Sequence, residues 1–343
     1  MFKKRDFVIP ETGVDEVRSI RIGNMDQTVL IQSYDISNPV LLFIHGGPSM
    51  PLPGVSSRGK DYTIVTNTRE LVKHYTVVFW DQRGTGKSYQ KNISQETMNF
   101  EQFLQDAIEV VDYVRKEFGK EKIHIAAHSY GTLIGMYLVN RHPEKFHSYT
   151  GFSQIISWTE NDKSCYEWAK NEAEKRNDNK ALKELKAVGE PPYIDSYKQW
   201  AVIRKYQMKY SSMIYSDDQI KHPGLLKISL GMYFSEDYSF TDLVNTFYRG
   251  FKLIYTDDFI KNIPTINLLK EVKGLKVPTT FIHGEKDVHV PFGLLEEFLK
   301  GLPNNQLAEC VLLPNSSHLF HPIDTKAIEG ILIEKLRAKE LSL

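Results

Sequence analysis

Apolar and polar positions along the first 130 residues follow two different periods. Between Val14 and Asp35 short apolar alternations (Val17, Ile20 and Ile22, then Val29 and Ile31) flank the turn signal Gly23-Asn24-Met25-Asp26. That pattern predicts an antiparallel hairpin. From Pro39 to His45 the run is continuously apolar and ends in glycines, as expected of a strand buried on both faces of a sheet. Thr76 to Asp81 and Ile123 to Ala127 repeat it. Between these two runs Phe100, Phe103, Leu104, Ala107, Ile108, Val111 and Val114 recur at helical spacing. Strand, helix, strand in that order predicts parallel pairing. The same grammar returns from Val277 to Leu313, with strands at Thr279–His283 and Ala308–Leu313 around a helix from about Gly293 to Lys300.

The stretch between the two blocks differs. It opens with a polar helix expected over Lys170–Val188 and continues into a segment crowded with Tyr, Phe and Trp. Residues 152–262 hold 19 of the chain's 40 aromatic residues. This predicts a helical cap inserted over the carboxyl edge of the sheet, where open α/β sheets bind ligands. The expected division is a first core part at 1–152, the cap at 153–263 and a second core part at 264–343. An ordinary second domain with an aromatic core is the alternative.

Composition narrows the function classes. With 41% hydrophobic and 25% charged residues the chain can bury a substantial core. Lys plus Arg and Asp plus Glu number 43 each, so no overall field favours nucleic acid or an anionic membrane. The basic N-terminus lacks the apolar run of a signal peptide, and no segment approaches the roughly 18 apolar residues of a membrane span. Cys165 and Cys310 form no metal or redox spacing and are expected as free thiols in a reducing cytoplasm. The pattern leaves the oligomeric state open.

The motif that carries chemistry is Ala127-His128-Ser129-Tyr130-Gly131, set directly after a buried strand and before the apolar helix Thr132–Val139. A nucleophile elbow needs small residues two before and two after its serine, because the sharp turn brings neighbouring backbones close. Ala127 and Gly131 meet that need. A serine hydroxyl needs a base to take its proton and a carboxylate to orient the base. Asp287, just past a buried strand, is the expected carboxylate, with Glu285 its local competitor. His318, in the loop after the last strand, is the expected base, with His321 three residues on as its rival. The oxyanion donors are assigned to the backbone amides of Gly47 and Tyr130, with Gly46 as fallback. Asp81-Gln-Arg-Gly-Thr-Gly-Lys-Ser88 ends like a phosphate-binding loop but lacks the leading glycine and leads into no helix. No metal motif and no cofactor motif is present in the sequence.

His45-Gly-Gly-Pro48, the 81–88 segment and the elbow together resemble the prolyl aminopeptidase (proline iminopeptidase) branch of the α/β-hydrolases. The resemblance covers about two-thirds of the chain. It implies the α/β-hydrolase fold, a mostly parallel central sheet with flanking helices and an inserted helical cap. It also implies a cofactor-free serine peptidase that releases an N-terminal residue from short peptides. Family aminopeptidases hold the substrate amine with cap glutamates. Aligning Trp200 with their Trp-rich helix puts Arg204 near one such acid, and aligning Tyr233-Phe234 puts Leu230 at the other. Glu236 and Asp237 lie close by as substitutes. Trp200, Arg204, Tyr233 and Glu236 are thus the candidate substrate contacts, and Ser49 replaces a glycine of the oxyanion loop.

The expected partner is a small-molecule or short-peptide substrate, with neither nucleic acid nor membrane. The leading function is hydrolysis of a small ester or amide through an acyl-enzyme. A carboxylesterase or lactone hydrolase without aminopeptidase activity is the alternative, and a hydrolase-fold receptor a third reading. A dehalogenase or epoxide hydrolase would need aspartate at position 129.

Overall fold

The structure, a computed structural model, describes residues 5–210, 213–303 and 306–340. The alternation near the N-terminus is a hairpin, β1 (Val14–Ile22) and β2 (Met25–Ser33), in register from Val14↔Ser33 to Ile22↔Met25. Gly23 and Asn24 turn it at φ 52° and 62°, left-handed values that these two residue types tolerate. The buried runs become β3 (Val40–Ile44), β4 (Thr76–Asp81) and β5 (Ile123–His128), followed by β6 (Phe146–Phe152), β7 (Thr279–Gly284) and β8 (Ala308–Leu313). All eight form one sheet in the order β1-β2-β4-β3-β5-β6-β7-β8. Only the β1–β2 and β2–β4 pairs are antiparallel.

Along β3 the side chains alternate between two cores. Val40, Leu42 and Ile44 join one cluster, while Leu41 and Phe43 join the other. A run buried on both sides therefore reads as unbroken apolar sequence although its period is two. On the first face lie α1 (Phe100–Glu117), capped by the Asn99 side chain, and α2 (Tyr130–Arg141).

Between β6 and β7 the chain is helical: α3 (Trp158–Lys175), α4 (Asn179–Val188), α5 (Tyr197–Lys209) and α6 (Gly224–Tyr233) precede a further helical run over residues 240–262. The single polar helix expected over 170–188 is instead the end of α3 and all of α4. Asn177 takes a left-handed φ of 51° that stops the first helix, and the Asp178 side chain caps the second through Ala181 N. Trp158, Trp200 and Tyr255 meet edge to face or tilted and join this segment to the first core. After β7 come α7 (Phe292–Gly301) and α8 (Pro322–Glu340), the latter covering the other face with Ile328 and Leu332.

Candidate active site

Ser129 sits between β5 and α2 with φ 52° and ψ −123°, a strained conformation for a residue with a Cβ. Crowding explains its neighbours. A Cβ on Gly131 would fall 2.5 Å from the carbonyl oxygens of Ile44 and His45, and one on Gly46 would meet Ser129 Cβ at 2.9 Å. The turn is tied down from outside by Ser129 N donating to Phe152 O at 3.0 Å.

Three side chains separated by up to 189 residues then converge. His318 Nε2 lies 3.0 Å from Ser129 Oγ and His318 Nδ1 lies 3.0 Å from Asp287 Oδ2. All three residues are buried. Asp287 accepts from the backbone amides of His289 (2.8 Å) and Val290 (2.9 Å) on Oδ1, and from Ser153 Oγ (2.7 Å) on Oδ2. Burial acts to raise its carboxyl, but the charge and hydrogen bond of His318, with His283 and Val290 N, bring it down to about 2. It is therefore an ionised, fully satisfied carboxylate facing the imidazole. Glu285 is exposed, and His321 is engaged elsewhere, its Nε2 donating to Lys221 O at 3.3 Å while Nδ1 accepts from Ile323 N.

Two other histidines brace the site. His45 Nδ1 donates to Gly46 O (2.8 Å) and its Nε2 accepts from Gln82 N (3.1 Å), which fixes a neutral ring. Burial pushes it down to about 4. His128 Nε2 donates to the His318 carbonyl at 3.1 Å, and burial together with the nearby His318 charge pushes it down to about 3. Neither can titrate near neutrality.

The 81–88 segment holds this edge of the sheet in place. Asp81 accepts from Val55 N (2.8 Å), Lys87 N (3.0 Å) and the Tyr238 hydroxyl, while Gln82 Nε2 donates to His45 O (2.8 Å). Arg83 forms a buried two-pronged pair with Asp106, both contacts 2.8 Å. Thr85 Oγ1 donates to Ser49 O at 3.0 Å, and Ser49 keeps a left-handed φ of 67°. The loop carrying Gly47 is thus pinned from below. Among the described residues neither Gly47 N–H nor Tyr130 N–H has an acceptor.

A cavity of about 380 Å³ opens over Ser129, lined by Gly47 and by side chains from α3, α5 and the loop after β7. Trp200 and Arg204 line it. Tyr233 and Glu236 do not. Tyr233 lies in a separate surface groove with Leu226, Leu230 and Phe240, and Glu236 is drawn into an ion pair with Arg5. Asp237 is held by Arg58 at 3.2 Å. No Asp or Glu lines the cavity among the described residues. Asp162, just behind it, is committed to Trp200 Nε1 (2.8 Å) and Arg204 Nη2 (3.3 Å), and burial raises its carboxyl to about 6 despite that cation. Ser153, Asp162 and His289 were not marked by any sequence signal; only the position of His289 two residues past Asp287 places it near the site.

An eight-stranded, mostly parallel sheet bearing a serine on a strained turn at its carboxyl edge is the architecture of an α/β-hydrolase. The chain belongs to the alpha/beta hydrolase fold family, whose model matches residues 39–325. It is 27% identical over 320 residues to the probable aminopeptidase YbaC of Bacillus subtilis (strain 168), covering 92% of this chain and 94% of that one. Among solved structures it resembles the proline iminopeptidase of Mycobacterium smegmatis (TM-score 0.64, 16% identity, 95% of this chain and 99% of that one). It also resembles a proline iminopeptidase-related protein of Thermus thermophilus (TM-score 0.60, 16% identity, 95% and 98%). At these identities the two structural likenesses are likenesses of fold. Among the described residues no helix is long and apolar enough to cross a membrane.

Proposed function

We propose that the protein is a serine hydrolase that cleaves a small ester or amide through an acyl-enzyme on Ser129. The observation that carries this reading is the buried line Asp287–His318–Ser129 with 3.0 Å at each step. Asp287 fixes the proton of His318 on Nδ1, so Nε2 presents a lone pair to the serine hydroxyl. His318 takes that proton as Oγ bonds to the scissile carbonyl carbon, and the carbonyl electrons move onto oxygen. The resulting oxyanion is received by the amides of Gly47 and Tyr130. Collapse expels the leaving group, which takes the proton from His318. Water, deprotonated by the same imidazole, then releases the acid and restores Ser129.

The likeness to aminopeptidases raises the question of a free amine in the substrate. The cavity has Arg204 on its wall and no lining carboxylate, so an α-ammonium placed there lacks a counter-charge and meets a like charge. This favours an ester, lactone or amide without a free N-terminus. The test compares proline naphthylamide, its N-acylated form and 4-nitrophenyl esters, with Ser129→Ala as control. Ester turnover lost in Ser129→Ala is the expected result. Ester turnover that survives in that variant overturns the mechanism, and turnover of the free-amine substrate alone makes the protein an aminopeptidase.

A further inference from the structure

Arg204 follows Trp200 by one helical turn of α5, and the spacing of four puts both on the face that lines the cavity. Its guanidinium is anchored along one edge. Nη1 donates to Gln207 Oε1 at 2.7 Å, with His289 Nδ1 at 3.1 Å and Cys165 Sγ at 3.6 Å also in reach, and Nη2 donates to Asp162 Oδ1 at 3.3 Å. A guanidinium carries five N–H donors and no acceptor. Nε–H has no acceptor among the described residues, and the side chain remains 27% exposed. Asp162, by contrast, is 3% exposed and does not line the cavity. Its charge holds the arginine from behind and is not offered to a ligand.

His289 Nδ1 lies between Arg204 Nη1 at 3.1 Å and Gln207 Oε1 at 3.2 Å, and Gln207 Nε2 donates to Val288 O at 3.3 Å. Burial and the adjacent Arg204 charge depress the basicity of His289 well below the usual range, so its ring is neutral. Its Nε2 has no hydrogen-bond partner among the described residues. The His289 ring lines the same cavity, its centroid 4.4 Å from that of His318. A cation held from behind by Asp162 thus stands a single ring away from the base, in a cavity walled largely by Trp158, Trp200, Tyr255 and Ile155, with Lys205 also on its wall and paired to Glu184.

We infer that this cavity selects a substrate bearing a carboxylate, received by the unused donors of Arg204 while the scissile carbonyl rests against Ser129. The inference rests on the serine-hydrolase reading and adds its substrate class. Arg204 is the specificity residue in it. Charge-assisted hydrogen bonds in a partly desolvated site correspond to about a ten- to hundredfold preference over a neutral isostere.

The test uses the intact wild-type chain and two matched substrate series. In one the carboxylate lies on the acyl side: mono-4-nitrophenyl glutarate and adipate against their methyl esters. In the other it lies on the leaving side: O-butyryl glycolate against O-butyryl glycolamide, followed by pH-stat. At least tenfold higher kcat/KM for the charged member in one series is expected. That ratio is expected to fall to within threefold of unity in Arg204→Met combined with Asp162→Asn, which removes both charges together. Arg204→Gln, which keeps a donor for Asp162, reads the same change independently. Ser129-dependent turnover with no charge preference in either series overturns this inference alone, as does a preference that survives both variants. Absence of any Ser129-dependent turnover overturns the hydrolase reading and this inference with it.

Discussion

Replacing Asp287 by asparagine leaves the shape of the site intact and inverts its hydrogen bonding. The amide oxygen can keep the His289 and Val290 amides that now meet Oδ1 at 2.8 and 2.9 Å. Its NH2 then faces His318 Nδ1 and Ser153 Oγ where Oδ2 accepted from both at 3.0 and 2.7 Å. Ser153 can rotate its hydroxyl to accept, but His318 must move its proton to Nε2, and a protonated Nε2 cannot take a proton from Ser129. The same substitution in Ser-His-Asp enzymes lowers kcat by about 10⁴, or about 5.5 kcal/mol.

A second cost falls on folding. A carboxyl held at about 2 instead of its ordinary 3.8 contributes about 2 kcal/mol of stability. Its folded value is depressed, so that contribution is present above about pH 4 and is lost as the pH falls toward 2. Asp287→Asn is therefore expected to lower kcat for a 4-nitrophenyl ester by about three to four decades. It should also lower urea stability at pH 7 by about 2 kcal/mol and flatten the wild-type loss of stability between about pH 4 and 2. Turnover within tenfold of wild type would refute the orienting role of Asp287, and an unchanged acid profile would refute the account of its ionisation.

Three further outcomes follow from the packing around the site. Gly131→Ala forces a Cβ to within 2.5 Å of two backbone carbonyls that cannot swing away, and is expected to cost about 3 kcal/mol in urea denaturation. Arg83→Met leaves Asp106 as a lone charge with 0% side-chain exposure, and is expected to cost about 3–5 kcal/mol by the same measurement, against a much smaller loss when Asp106→Leu is added. Cys165 is buried and Cys310 exposed, and burial raises the Cys165 thiol to about 11. A disulfide reagent such as DTNB is therefore expected to titrate one thiol per native chain and two after denaturation; two fast equivalents in the native state would contradict the placement of Cys165.

What could be read from sequence was what local pattern encodes. The strands buried on both faces announce themselves as unbroken apolar runs, and the hairpin as alternation around Gly23-Asn24. β6 escaped because Phe146-His-Ser-Tyr-Thr-Gly-Phe152 is neither an apolar run nor a clean alternation; its place between β5 and β7 comes from its neighbours. Within the site, the elbow spacing and the order Ser, Asp, His pointed to the three side chains that the structure brings together. Asp162, Ser153 and His289 act through contacts spanning 38, 134 and 85 residues, for which no local pattern exists. Of the residues aligned by local aromatic context, Trp200 and Arg204 line the cavity, while Glu236 pairs with Arg5, 231 residues away in sequence. The Asp81–Ser88 segment showed in sequence a family likeness but no structural role. Its role in holding the loops beneath Gly47 requires the fold.

The central claim is that Ser129 becomes acylated during turnover. It is tested most directly by quenching the wild-type protein in acid seconds after mixing with 4-nitrophenyl butyrate, then measuring the intact and peptic masses. The account predicts a butyryl adduct of one per chain, located on the peptide containing Ser129 and absent from Ser129→Ala. Turnover with no adduct on that peptide, or an adduct of the same yield in Ser129→Ala, would contradict it.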